Sequence, residues 1–110
     1  MAIFKKELLA KVLDGSKVQT RRAHKHLWKV GKAYSARCRW FTKTEAKILI
    51  LRRFRQRLDE ISQEDVKKEG YQKLEDYQKA WKEFYGEWSP EQVVTVYEFK
   101  LLATKSEVQK

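Results

Sequence analysis

The stretch that most restricts the fold is residues 45–57, EAKILILRRFRQR. Apolar and polar side chains alternate through much of it, setting Ile48, Ile50 and Phe54 against Leu49, Leu51 and Arg53. That is the period-two signature of a long β-strand. Residues 33–41 (AYSARCRWF) read as a strand before it, joined by a polar hairpin around Thr42, Lys43 and Thr44, and residues 92–102 (QVVTVYEFKLL) alternate as a closing strand. Short strands are expected around Ile3 and over residues 17–22, with a turn at Val30-Gly31-Lys32.

Between these runs the apolar spacing becomes helical. Residues 4–14 put Phe4, Leu8, Leu9, Val12 and Leu13 on one stripe, and Gly15 stands where a helix ends. Ser62 followed by Asp65 is a hydroxyl and an acid at capping-box spacing, opening a helix that Gly70 ends. Residues 73–86 repeat Leu74, Tyr77, Trp81 and Phe84 every three to four positions, a stripe expected to face the core, with Tyr85 and Trp88 placed to line a cleft rim. Gly86 and Pro90 bound that helix. The order of helix, strands, two helices and a last strand predicts an α+β domain on a small, mostly antiparallel β-barrel with about three flanking helices. A single domain is expected over residues 1–103, with residues 104–110 a polar C-terminal tail.

Charge is divided unequally along the 110 residues. Residues 1–57 hold 17 Lys and Arg against 3 Asp and Glu, a balance of +14, and residues 58–110 hold 8 against 12, a balance of −4. A half that basic gathers polyanions. No apolar run approaches the ~18 residues of a membrane span. The charged, helically spaced start lacks the apolar block of a signal peptide. Cys38 stands alone, so neither an internal disulfide nor a cysteine zinc site can form, and a cytoplasmic location is expected. His24 and His26 sit among Arg21, Arg22 and Lys25, cations that disfavour a metal dication, so neither metal nor cofactor is expected. The absence of Asn and the weight of Lys, Arg and Glu match the bias of hyperthermophile proteins. A monomer is expected.

The segment Gly15-Ser16-Lys17-Val18-Gln19-Thr20-Arg21-Arg22 resembles the signature of the ASCH family, a Gly-x-Lys-x-x-Thr-x-Arg run after a first helix. Lys29-Val30-Gly31-Lys32, the acidic stretch from Ile61 to Gly70, and Val96-Tyr97-Glu98-Phe99 resemble further pieces of that pattern, in the same order. The resemblance covers residues 3–102 and implies a PUA-like β-barrel with a cleft and a role in RNA metabolism. One branch of the family consists of small amidohydrolases that remove the acetyl group from 4-acetylcytidine with a Lys, a Thr and a Glu. The matching positions here are Lys17, Thr20 and Glu69, the last resting on the neighbouring Gly70, with Glu64, Asp65 and Glu75 competing for the acidic place. In those roles a basic Lys17 takes the proton of the Thr20 hydroxyl and Glu69 passes one to the departing amine. Arg21 or Arg22 would hold an oxyanion or phosphate. Lys17 and Thr20 are three residues apart, so they converge only if the chain bends between them. The aromatic helix of residues 73–86 departs from the minimal amidohydrolase pattern.

Within the basic half, Arg53, Arg55 and Arg57 alternate onto one face, and Arg37, Arg39 and Lys47 come from neighbouring strands. With Arg21, Arg22 and Lys25 they suit phosphates. Trp28, Trp40 and Phe41 are placed either to stack on a base or to pack in the core. The expected partner is RNA or an RNA-derived nucleoside, bound or, on the alternative reading, deacetylated.

Overall fold

The alternating run of residues 45–57 becomes the longest strand of a five-stranded sheet in the computed structural model, which describes residues 2–23, 27–38 and 46–102. The strands are β1 (Ala2–Phe4), β2 (Gln19–Arg22), β3 (Ala33–Cys38), β4 (Lys47–Arg57) and β5 (Val93–Leu101). The helices are α1 (Lys6–Asp14), α2 (Gln63–Lys68) and α3 (Leu74–Tyr85), with a single 3-10 turn at Leu58–Glu60. The hairpin expected at residues 42–44 and the polar tail lie outside the described residues.

The strand order is β1-β3-β4-β5-β2, antiparallel throughout except that β1 runs parallel to β3. This corrects the expected barrel. Closure requires the outer strands to pair, and β1 and β2 do not. β1 is only three residues long, and the gap to β2 is crossed by a side chain: Arg22 Nη2 donates to the Ile3 carbonyl at 2.9 Å. The sheet is therefore open, with a seam between its two ends.

A second correction falls within β4. Ile50 opposes Phe99 and Arg52 opposes Glu98, so Leu51 is an extra residue, a β-bulge. The bulge exchanges the faces of everything after it. Ile48 and Ile50 share a face with Phe99 and Tyr97, whereas Phe54 opposes Val96 on the other face. Arg53 and Arg55, opposite Tyr97 and Thr95, share a face as expected.

Each face supports a core. α1 covers the first with Leu9 and Val12, against Phe4, Trp28, Ile48, Ile50, Tyr97 and Phe99. On the second, Tyr77 and Trp81 of α3 pack on Leu58 and Val94, flanked by Tyr71, Tyr85 and Trp88. Phe84 departs from the expected core stripe and is 63% exposed. Tyr85 takes the inward place, its ring 4.3 Å from that of Trp81.

α2 is held at its start by the expected capping box. Ser62 Oγ accepts from the Asp65 N–H, and Asp65 Oδ2 accepts from the Ser62 N–H, both at 3.1 Å. Ser62→Ala is expected to cost about 1 kcal/mol, read as a lower urea midpoint at unchanged slope. An unchanged midpoint would show that tertiary packing alone fixes α2.

Candidate functional site: a charge cluster beneath an aromatic cleft

The turn after α1 sets the position of Lys17. Gly15 adopts φ 87°, a left-handed conformation that ends the helix. The N–H groups of Ser16 and Lys17 both donate to Lys11 O, at 3.0 and 3.1 Å. Val18 N then donates to Lys68 O at the end of α2, and Val18 O accepts from Phe99 N of β5. Lys17 is thereby clamped between two helix ends before β2 begins. This is the bend the motif requires, and it brings Lys17 and Thr20 to the same cleft.

Beneath that cleft lies a buried cluster of charges. Lys17 Nζ donates to Gln19 O at 2.9 Å, Glu69 O at 2.7 Å and Glu69 Oε1 at 3.0 Å. Arg21 Nη1 donates to Glu69 Oε2 at 2.8 Å and to Gln19 Oε1 at 2.5 Å, while Nη2 donates to Gln56 Oε1 at 2.7 Å and lies 3.4 Å from Asp65 Oδ2. Lys17, Gln19, Arg21 and Glu69 are each no more than 3% exposed. Glu69 thus divides its two oxygens between two cations. Gly70 makes the tight exit possible: it has φ +100°, and a Cβ there would lie 3.2 Å from the Lys11 side chain and 3.4 Å from that of Leu8.

The cleft runs along the β2 edge at the open seam, with an empty volume of about 520 Å³ that includes the open solvent above it. Ile3, Phe4 and Lys5 line one side, Lys17, Thr20, Arg21 and Arg22 the floor, and Tyr71, Tyr77, Trp81, Phe84 and Tyr85 the other side. Arg22 lies over the rings of Phe4 and Trp28, 5.0 and 5.3 Å from their centroids, and its Nε donates to Thr20 Oγ1 at 3.1 Å. Tyr85 Oη accepts from Ala23 N at 3.2 Å, tying α3 to the chain beyond β2.

Burial pushes the Lys17 ammonium below its ordinary value, against the opposing pull of Glu69. Burial, reinforced by Glu69, pushes Tyr71 up to about 12 and holds Tyr77 well above the ordinary tyrosine range. Both therefore keep their phenolic protons at neutral pH. Burial alone would raise Asp65, but hydrogen bonds from Ser62 and the charge of Arg21 outweigh it and hold the carboxyl below its ordinary value.

A family profile described as the ASCH domain matches residues 1–103. The chain belongs to the ASCH domain family. Two solved structures share its fold. A crystal structure of an ASCH domain from Lactobacillus crispatus JV V101 has a TM-score of 0.74 at 17% identity, covering 86% of this chain and 70% of that one. A crystal structure of a protein from Enterococcus faecalis V583 has a TM-score of 0.73 at 14% identity, covering 99% and 80%. No curated protein matches the sequence significantly.

In this ASCH domain the expected site residues separate into groups. Lys17 and Glu69 are in contact, and Thr20, Arg21 and Arg22 join Lys17 on the cleft. Trp28 is 8% exposed and packs in the first core, 4.7 Å from Tyr97 and 5.8 Å from Tyr34 between ring centroids. Arg53 donates from Nη1 to Trp28 O at 3.0 Å and, like Arg55, is exposed on β4. Arg37 lies on β3 opposite Ile3. Lys25 and Arg39, with His24, His26, Trp40 and Phe41, lie outside the described residues. Sequence reasoning missed Gln19 and Gln56 as members of the cluster and weighed Asp65 only as a competitor of Glu69. Only the alternation of Gln19 with Arg21 signals that these two share a face. Among the described residues, no helix is long and apolar enough to cross a membrane.

Proposed function

We propose that the cleft binds single-stranded RNA or an RNA-derived nucleoside, with a base between the aromatic walls and phosphate on the basic side. The composition of the lining carries this reading: among the described residues it has four cations, Lys5, Lys17, Arg21 and Arg22, and no carboxylate, beside Phe4, Tyr71, Tyr77, Trp81 and Tyr85. Aromatic faces stack on any base, and phosphates draw lysine and arginine. Lys17 and Arg21 are already balanced by Glu69 and Asp65, so Arg22, and Lys5 on leaving its exposed pair with Glu83, are the groups to meet a phosphate. The net charge of +10 and the arginines of β4 extend the attraction beyond the cleft.

Titration of a fluorescent single-stranded RNA is expected to show affinity falling with salt, with a log–log slope of about 0.7 per phosphate contacted. Arg22→Ala is expected to weaken that binding. Affinity insensitive to both salt and Arg22→Ala would sink the reading.

A second reading, deacetylation of 4-acetylcytidine, is favoured by one observation: Lys17 Nζ lies 3.0 Å from Glu69 Oε1, and Thr20 shares their cleft. With Lys17 in its neutral form, the Thr20 hydroxyl would attack the acetyl carbon as Lys17 takes its proton, Glu69 would relay that proton to the cytidine amine as the carbon–nitrogen bond breaks, and water would then hydrolyse the acetyl-Thr20 ester to acetate. Two contacts oppose it. Lys17 Nζ already faces three acceptors, and Thr20 Oγ1 accepts from Arg22. Chromatography after incubation with 4-acetylcytidine decides: cytidine formed by the native protein and not by Thr20→Ala supports turnover, and no cytidine leaves a binding site.

A further inference from the structure

Phe84 has no packing reason to be where it is. It sits in the last turn of α3, 63% exposed, at the mouth of the cleft beside Ile3, itself 44% exposed. Its ring meets Tyr85 edge-on at 4.7 Å, and Tyr85 lies 4.3 Å from Trp81. The aromatic wall therefore continues from the interior of the cleft out to the open face of Phe84. Lys5 also lines the mouth, its Nζ 3.1 Å from Glu83 Oε2. Both members of that pair are well exposed, so the pairing is weak and a phosphate can displace it.

We propose that this rim is a second nucleotide subsite. Phe84 stacks the base next to the one held in the cleft, and Lys5 takes the phosphate joining them. The inference rests on the RNA-binding reading and sharpens it: the ligand is a strand of at least two nucleotides, and a free nucleoside fills only half of the site. Charge complementarity selects a polyanion over an apolar peptide: Arg22 makes no ion pair among the described residues, and Lys5 is held only by the exposed Glu83. A flat exposed ring suits a base without regard to its identity.

The test compares an eight-nucleotide single-stranded RNA of mixed sequence with the four ribonucleosides, by calorimetric titration of the native chain and of Phe84→Ala, Phe84→Tyr and Lys5→Ala. Phe84→Ala is expected to weaken the oligonucleotide about 5- to 150-fold, the loss of one stacked base, and to weaken nucleoside binding far less. Phe84→Tyr should restore the oligonucleotide. Lys5→Ala should lower the log–log salt slope of oligonucleotide binding by about 0.7, one phosphate. Because Phe84 is exposed, its truncation leaves the fold intact, which circular dichroism checks. If Phe84→Ala leaves oligonucleotide binding unchanged, or weakens oligonucleotide and nucleoside equally, the second subsite is overturned while the cleft reading stands. If the native chain binds neither probe, the cleft reading fails and takes this one with it.

Discussion

Glu69→Gln is expected to destabilise the protein by about 3–5 kcal/mol, the cost of removing one partner from a buried charge pair. The substitution keeps the shape of the side chain but removes the charge that reaches both Lys17 Nζ and Arg21 Nη1. Asp65 cannot take over: it lies 3.4 Å from Arg21 on the more exposed side and makes no ion pair with Lys17. Lys17 would then remain buried against amides and carbonyls, and Arg21 would keep only the more distant Asp65, which together do not offset the desolvation of two cations. Urea denaturation reads the loss directly, and a midpoint within error of the native one would mean that water reaches the cluster. The triple change Lys17→Met, Arg21→Met and Glu69→Leu is expected to recover most of the loss, since apolar groups of similar volume replace buried ion networks at little cost. The cluster would then owe its presence to function rather than to stability.

Trp81→Ala is expected to cost a comparable 3–5 kcal/mol through the cavity it leaves. Trp81 is 4% exposed and touches the rings of Tyr77, Tyr85 and Trp88, so its removal empties the centre of the second core and the back wall of the cleft together. Trp81→Phe should be far milder, because the indole Nε1 makes no hydrogen bond among the described residues that the substitution could break. Thermal unfolding of the two variants separates these effects. Equal losses would show that the indole N–H, and not the volume, matters.

Local pattern was enough to place β4, β5, α1, α2 and α3, because the two strands alternate, α1 and α3 carry helical stripes, and each helix has a cap or a glycine at its end. It was not enough to decide closure. Whether β1 meets β2 depends on two short strands far apart in the fold, and nothing in Ala2–Phe4 or Gln19–Arg22 states the distance between them. The bulge at Leu51 is similarly silent: alternation continues through the sequence while its faces exchange, which moved Phe54 across the sheet. Phe84 keeps the helical stripe that pointed inward, but near the end of α3 its neighbour Tyr85 packs in its place. The motif located Lys17, Thr20 and Glu69 through resemblance, and the residues alone gave only the condition that the chain bend. Gln56 and Asp65 meet Arg21 across sequence separations of 35 and 44 positions, with no local sign of the encounter.

The unclosed seam also bears on how the amino-terminal strand is held. β1 has one neighbour in the sheet, and its other side faces the cleft. A ligand that touches Ile3 and Lys5 on one side and Thr20 and Arg22 on the other occupies the place of the rung that the backbone omits. Occupancy and closure then form one equilibrium: the free energy gained on binding is the same free energy that fastens the first strand to the last.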